Sequence, residues 1–350
     1  MSRALVTGAT GFVGANVARV LLERGRDVRV LARASSDRGN LEGIDVEVAE
    51  GDLRDADSVG RAVAGCDEVF HVAAEYTFWA AEPEVVFASN VVGTTNVMEA
   101  CLQHGVSRVV YTSTVGTIGL GGDEPPDVPR DESSAPAKGQ FSGSTYKRSK
   151  LEAELAARGF VERGLPLVIV NPSTPVGQWD RKPTPTGKII VDFMRGAMPA
   201  FLETGLNIVH VRDVAIGHVL AAEKGRVGER YILGNRNMSL AEILHTLAQL
   251  TGRKAPRMKV PYGLAYIAGM ASTAVANNIT HRAPAIPLEA VKMAKFHMYF
   301  SPAKAIRELE LPQTSPEKAF EEALSWFDER GYFTSTSPTG QERWRTTSPS

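Results

Sequence analysis

Tyr146 and Lys150 lie four residues apart in Ser144-Thr-Tyr-Lys-Arg-Ser-Lys-Leu-Glu-Ala-Glu-Leu155, a run of strong helix formers with an apolar stripe. On a helix that spacing puts both on one face, so phenol and amine project together. A free phenol titrates near ~10 and is a poor base at neutral pH. A neighbouring ammonium stabilises the phenolate, and a fall of roughly three units takes about 4 kcal/mol of preferential stabilisation. A tyrosine tuned in this way exchanges a proton with a substrate oxygen. Ser113 and Thr114, two adjacent hydroxyls at the end of the apolar run 109–112, supply a third polar partner to orient that oxygen. A surface Tyr/Lys pair has the same spacing, so the rest of the chain must decide.

The amino-terminal turn decides it. Gly8-Ala9-Thr10-Gly11-Phe12-Val13-Gly14 follows an apolar strand directly and opens a helix, the context in which a glycine motif rises above chance. Glycine allows the tight turn, and a Cβ would hold the backbone away from a pyrophosphate. The free N–H groups and positive end of the following helix receive the phosphate charge. The second strand ends Val30-Leu31-Ala32-Arg33, with no acid before Asp37. An NAD site normally places an acid there for the ribose hydroxyl. Arg33 instead offers a planar donor fork suited to a 2′-phosphate, with Arg38 to assist. NADP is therefore expected, with NAD the alternative. Asp52 and Leu53 after the third strand, and Ala73 and Ala74 after the fourth, add an adenine contact and close backbone passage. Together with Tyr146 these parts predict hydride exchange at a carbon whose oxygen exchanges a proton.

Short apolar runs (4–7, 28–31, 46–48, 68–72, 109–112, 167–170) alternate with helix-length amphipathic segments. That rhythm predicts an α/β fold with a doubly wound, mostly parallel sheet. Residues 1–171 form the dinucleotide-binding domain in this reading. A Pro- and Gly-rich stretch after Asn171 marks a smaller, discontinuous C-terminal substrate-binding cap from 172–205 and 235–333, with 206–234 returning to the main body. Residues 334–350, rich in Ser, Thr, Pro and charge, are expected to be disordered. The formal net charge of −1, from 39 basic and 40 acidic residues, advertises neither nucleic acid nor an anionic surface. Cys66 and Cys101 have no metal-ligand spacing and read as buried small hydrophobes, in keeping with a reducing compartment. No metal is expected. The chain runs straight into its first strand and shows no uninterrupted apolar span, so the expectation is a cytoplasmic protein without a transmembrane segment.

Gly8 to Gly14, Gly51-Asp52-Leu53, His71-Val-Ala-Ala74, Thr112-Ser-Thr114, Tyr146-x-x-x-Lys150 and Val170-Asn-Pro-Ser-Thr-Pro-Val-Gly177 follow one another as in extended short-chain dehydrogenases/reductases related to dihydroflavonol reductase. Lys182-Pro-Thr-Pro-Thr-Gly187, Thr204-Gly-Leu-Asn-Ile-Val-His210 and Gly228-Glu-Arg-Tyr-Ile-Leu-Gly234 make the chain most similar to the bacterial hopanoid-associated sugar epimerase family. The resemblance covers about residues 3–333 and implies a Rossmann sheet. It implies that Thr114, Tyr146 and Lys150 are catalytic, with Ser113 in reserve. Asn90 would support the active site, although a helix N-cap explains it equally well. Pro172 and Ser173 fall where cofactor and substrate meet. Tyr76, Phe78 and Trp79 would wall the substrate on one side, Thr186 and Lys188 on the other. The implied substrate is a small sugar-like, polyol or lipid-linked molecule such as a hopanoid side chain. NADPH-dependent ketone or aldehyde reduction is the alternative reaction, and a non-catalytic NADP sensor is the alternative class. A homodimer is the common expectation for such a fold. The apolar stretch 263–271 reads as cap core in preference to a lipid contact.

Overall fold

The computed structural model describes residues 2–76, 79, 82–121, 128–141 and 144–333. Phe78 lies outside them, as does the segment 334–350. Strands β1 (Arg3–Thr7), β2 (Asp27–Ala32), β3 (Glu47–Glu50), β4 (Glu68–His71), β5 (Arg108–Thr112) and β6 (Leu167–Pro172) enter one sheet. Beyond β7 (Thr174–Val176), β8 (Ala200–Phe201) and β9 (Gly205–His210), strand β10 (Arg230–Leu233) rejoins it. The spatial order is β10-β6-β5-β4-β1-β2-β3, every pair parallel. Central strands buried on both faces need unbroken apolar runs, and Ala4-Leu5-Val6 and Leu167-Val-Ile-Val170 are all fully covered. The chain winds outward from β1 in one direction and from β4 in the other. The crevice beyond their carboxyl ends is thus the switch point at which such sheets bind ligands.

Helix α1 (Phe12–Glu23) packs on one face with α7 (Val211–Lys224). On the other lie α2 (Ala56–Val63), α3 (Pro83–Phe87) continuing through a π-helical turn (Ala88–Val92) into α4 (Gly93–Gln103), and α5 (Thr145–Glu162). Among the described residues, 83–103 is the one helix long and apolar enough to cross a membrane, a span the sequence reading did not anticipate. It instead buries Val97, Met98 and Cys101 against the sheet, alongside Cys66.

A smaller sheet, β11-β9-β7, pairs β9 with β11 (Arg236–Ser239) antiparallel and with β7 parallel, and β12 (Met258–Lys259) pairs with β8. A third core joins this sheet to α6 (Pro185–Met194), α8 (Leu240–Thr251) and α12 (Pro316–Glu329). Helix α8 starts at a Ser239/Glu242 capping box and stops at Gly252 in the left-handed region, both local signals. The boundaries drawn from sequence need correction. Within 206–234, β9 belongs to the cap sheet, because its ladder partners are β7 and β11. Conversely α11 (Ala303–Leu309) buries Ala305 and Leu309 in the core shared with β1 and α7. The remaining cap helices, α9 (Tyr262–Val275) and α10 (Leu288–Met293), pack on each other.

Candidate active site

A cavity of about 930 Å³ opens along the carboxyl ends of the main sheet and runs under the cap. One end is the glycine turn. Gly8 sits at φ +75°, where a Cβ would meet the Ala73 backbone at 2.7 Å, and a Cβ on Gly14 would run into the Gly8 carbonyl. Gly11 is the N-cap of α1 with no side-chain cap, so the first N–H groups of the helix are left for a ligand. Gly8, Thr10, Gly11, Phe12, Val13 and Gly14 all line the cavity, as do Arg33, Asp52, Leu53, Ala73, Ala74, Pro172 and Ser173. A cradle with no room for Cβ atoms and with unclaimed helix donors fits a dinucleotide pyrophosphate.

Arg33 is exposed at the far end, beside Ser35 and Ser36. The acid nearest in sequence is already engaged, since Asp37 accepts from the Gly39 N–H at 2.9 Å and from Arg181 Nε at 3.0 Å. Asp52 is held by Arg54 through two bonds of 2.7 and 3.0 Å, which brings its carboxyl down to about 2 against the cost of burial. Arg38 is not among the lining residues; it is 2.5 Å from Glu50 and belongs to the surface.

The candidate catalytic half stands on α5, whose N-cap Ser144 accepts from Lys147 N–H and donates to Glu289 of the cap. Thr114, Ser113, Tyr146 and Lys150 all line the cavity. The Thr114 hydroxyl accepts from the Gly116 N–H at 3.1 Å and lies close enough to Tyr146 to favour its phenolate. Ser113 donates instead to Glu154 at 2.5 Å. Lys150 Nζ does not reach the phenol. It donates to Tyr111 OH at 3.0 Å and to the Thr112 carbonyl at 2.7 Å. Burial pushes the Tyr146 phenol up to about 12, with Thr114 pulling the other way, and draws the Lys150 ammonium down to about 7, with Glu154 opposing. The expected lowering of Tyr146 by Lys150 is thus reversed here, because burial desolvates the phenol and Lys150 makes its bonds to β5 instead. At neutral pH Tyr146 holds its proton.

Glu154 was missed by sequence reading. Tyr146, Lys150 and Glu154 follow at i, i+4 and i+8, so the helical spacing that found the first two was the available signal. Its buried carboxylate accepts from Ser113, Thr117 at 2.8 Å, Asn171 at 3.3 Å and Arg230 at 3.3 Å. It thereby ties β5, β6 and β10 to α5. A second network fixes the end of β4. Thr7 donates to His71 Nδ1 at 2.7 Å, since Thr7 Oγ1 also accepts from Ala73 N–H. His71 Nε2 donates to Thr94 at 3.0 Å, whose own proton goes to the Asn90 carbonyl. That bonding assigns the Nε2–H tautomer. Burial and the nearby Lys150 hold the ring neutral, its pKa near 3.

Several expected site residues lie elsewhere. Asn90 is neither an N-cap nor a lining residue: it sits in the π-helical turn, bonding the Glu75 backbone and Ser149 Oγ at 2.9 Å, and so anchors the loop after β4 to α5. Its neighbour Ser89 lines the cavity. Trp79 donates to Asn277 at 2.7 Å and bridges that loop to the cap instead of walling the cavity. Lys188 points to solvent and pairs with Asp192 at 2.6 Å, whereas Ile189, one residue and 100° further round α6, lines the site with Thr186. Tyr76 does line it, its ring 4.7 Å from that of Tyr146. Asp180, also in the wall, has its carboxyl raised to about 7 by burial while Thr184 caps it.

A parallel sheet with this glycine turn and a Tyr-x-x-x-Lys helix below a small cap defines an extended short-chain dehydrogenase/reductase. The chain belongs to the NAD dependent epimerase/dehydratase family, which residues 4–234 match. That family comprises NAD(P)-dependent epimerases, dehydratases and reductases. The chain is 45% identical to a putative dihydroflavonol 4-reductase of Synechocystis over 93% of this chain and 95% of that one. It is 36% identical to sterol demethylase protein B of Methylococcus capsulatus, covering 93% and 98%. A solved nucleoside-diphosphate-sugar epimerase from Pseudomonas aeruginosa superposes with a TM-score of 0.78 at 27% identity, covering 95% of this chain and 99% of the other.

Proposed function

We propose that the chain is an NADPH-dependent reductase of a ketone or aldehyde carried on a large apolar substrate. The observation that carries this reading is the apolar lining that Ile189, Leu206, Ala290, Met293, Ala294 and Met298 give to the cavity that Tyr146 and Thr114 also line. These side chains remove apolar substrate surface from water, beside polar lining from Asp180, Lys182, Thr184, Thr186 and Thr204. A bound nicotinamide supplies the hydride to the carbonyl carbon. The chain does the remainder: Thr114 orients the carbonyl oxygen, and Tyr146 gives it the phenolic proton to complete the alcohol. Lys150, fixed by Tyr111 and the Thr112 carbonyl, lines the same cavity one helical turn from Tyr146. The relatives named for dihydroflavonol and sterol chemistry support an apolar substrate.

Epimerisation at a carbinol carbon of a sugar-like or polyol group is the second reading, favoured by the family match and the sugar-epimerase neighbour. A polyol borne on a hopanoid would satisfy both the apolar wall and this chemistry. Incubation of the purified protein with NADPH and a panel of ring ketones, aldehydes and polyol-bearing lipids separates the two. Stoichiometric NADPH oxidation is the expected result; inversion without it makes the protein an epimerase. Tyr146→Phe should lower turnover by roughly 10²–10⁴-fold with NADPH binding kept. Normal turnover in that variant removes the mechanism, and no turnover of any substrate by the parent would favour an NADP sensor.

The preference for NADP rests on Arg33, Ser35 and Ser36 at the far end of the cavity and on the engagement of Asp37 elsewhere. Arg33→Asp should weaken NADPH binding by about 10-fold or more, as loss of a charge-assisted pair implies, and NADH binding much less. Equal losses for both cofactors would assign Arg33 to the solvent.

A further inference from the structure

Helix α9 wears its apolar residues on the outside. Leu264, Ile267, Ala268, Ala271, Ala274 and Val275 follow at i, i+3, i+4, i+7, i+10 and i+11, one continuous stripe, and all six are exposed. Leu264 and Ile267 are each 62% exposed and Ile279, in the π-helical turn that ends the helix, 72%. The inward face is made of small residues instead. Ala265 and Gly269 are buried, Gly269 lies against Leu288 and Val291 of α10, and Ser272 and Thr273 accept backbone N–H bonds from Ile286 and Leu288. The helix is therefore pinned by its polar, small-residue side, and its apolar side has no cover among the described residues. The sequence expectation of a core segment is overturned.

The charge around the stripe names its partner. From 243 to 288 there is no Asp or Glu, whereas Lys254 and Arg257 precede α9 and Arg282 follows it, all exposed. Lys292 and Lys295 add exposed cations on and just after α10. The acid nearest in sequence, Glu289, is hydrogen-bonded to Ser144. Two copies meeting through this face about a two-fold axis would bring like charges together. A surface that is apolar inside and anionic at its rim is the complement. At 14 residues, about 21 Å long, α9 is too short to span the ~30 Å hydrocarbon layer and suits lying flat in its interface.

We propose that the α9 stripe and its flanking cations dock the protein on an anionic lipid bilayer. The position deepens the reading of an apolar substrate: α10, on which α9 rests, contributes Ala290 and Met293 to the cavity wall, so a docked molecule faces its substrate reservoir one helix away.

The full chain should co-sediment with vesicles of equimolar phosphatidylglycerol and phosphatidylcholine at least about tenfold more tightly than with phosphatidylcholine alone, and molar salt should weaken it. Leu264→Asp with Ile267→Asp should lower vesicle binding by about tenfold or more while NADPH binding, read by fluorescence, stays unchanged and certifies the fold. Absence of binding to anionic vesicles, or full binding by the double variant, overturns the proposal. So does light scattering that finds a dimer which the double substitution splits, because the occupant is then a second copy. None of these measurements uses turnover, so a failure here is separable from a failure of the reductase reading.

Discussion

Helices α5 and α9 both invert the usual arrangement of an amphipathic helix, and in opposite senses. Helix α5 turns Lys147, Ser149, Lys150 and Glu154 toward the protein and leaves Leu155 58% exposed. Helix α9 turns Ala265 and Gly269 inward and leaves Leu264 and Ile267 outside. Buried polar groups are tolerated only when bonded: Lys150 donates to Tyr111 and the Thr112 carbonyl of β5, Glu154 accepts from Asn171 of β6 and Arg230 of β10, and Ser149 accepts from Asn90. Exposed apolar groups carry a much smaller penalty and imply something else that covers them. Chemistry is thus marked by inward polarity, and association by outward apolarity.

The largest effect that would sharpen this contrast is at Glu154. Glu154→Ala strips four donors of their acceptor, among them the Arg230 guanidinium, and removal of one partner of a buried ion pair is strongly destabilising. Arg230 keeps its bond to the Glu132 carbonyl and some solvent access, so a loss of about 3 kcal/mol is expected. Urea unfolding measures it. A change below about 0.5 kcal/mol would mean that the inward polar row of α5 is no more constrained than a surface row.

A smaller effect is expected at Lys150, and its sign is set by burial. The folded amine titrates near 7, against 10.5 for the ordinary group, so between those values the unfolded chain binds more protons than the folded one. Stability contributed by this group therefore rises with pH across that window. Lys150→Met removes the rise, roughly 2 kcal/mol of it between about pH 7 and about pH 8.5 on a scale of about 1.4 kcal/mol per unit. Urea midpoints of parent and variant, compared across the window, test it. Parallel pH profiles would show that Tyr111 and the Thr112 carbonyl keep Lys150 charged in the folded protein.

The two helices also differ in how far the sequence announced them. The Tyr146/Lys150 spacing and the Gly8, Gly11, Gly14 turn are local geometry, and local geometry survives translation from sequence to structure. Lys188 failed because one residue on a helix is a rotation of 100°, enough to exchange Ile189 in the wall for a solvent-facing amine. Asn90 failed because the helix begins seven residues earlier, at Pro83, and reaches it as a π-helical turn. Strand β9 entered the cap sheet because pairing with β7 and β11 is non-local, and no periodicity within 205–210 states its partner. In α9 the apolar period was visible, but which side of it would face the protein was decided by the small residues that fit against Leu288 and Val291.

That last point yields the smallest effect and the sharpest division between the two helices. If the stripe of α9 were core, Leu264→Asp and Ile267→Asp would each bury a carboxylate and cost several kcal/mol. With both side chains 62% exposed, little apolar surface is lost and each new charge stays in water. The double substitution should change the unfolding free energy by less than about 1 kcal/mol, the sum of two ordinary surface replacements. Differential scanning calorimetry without vesicles reads it directly. A loss of several kcal/mol would mean that the stripe is packed against the protein's own substance, and the opposition between α5 and α9 would fall with it.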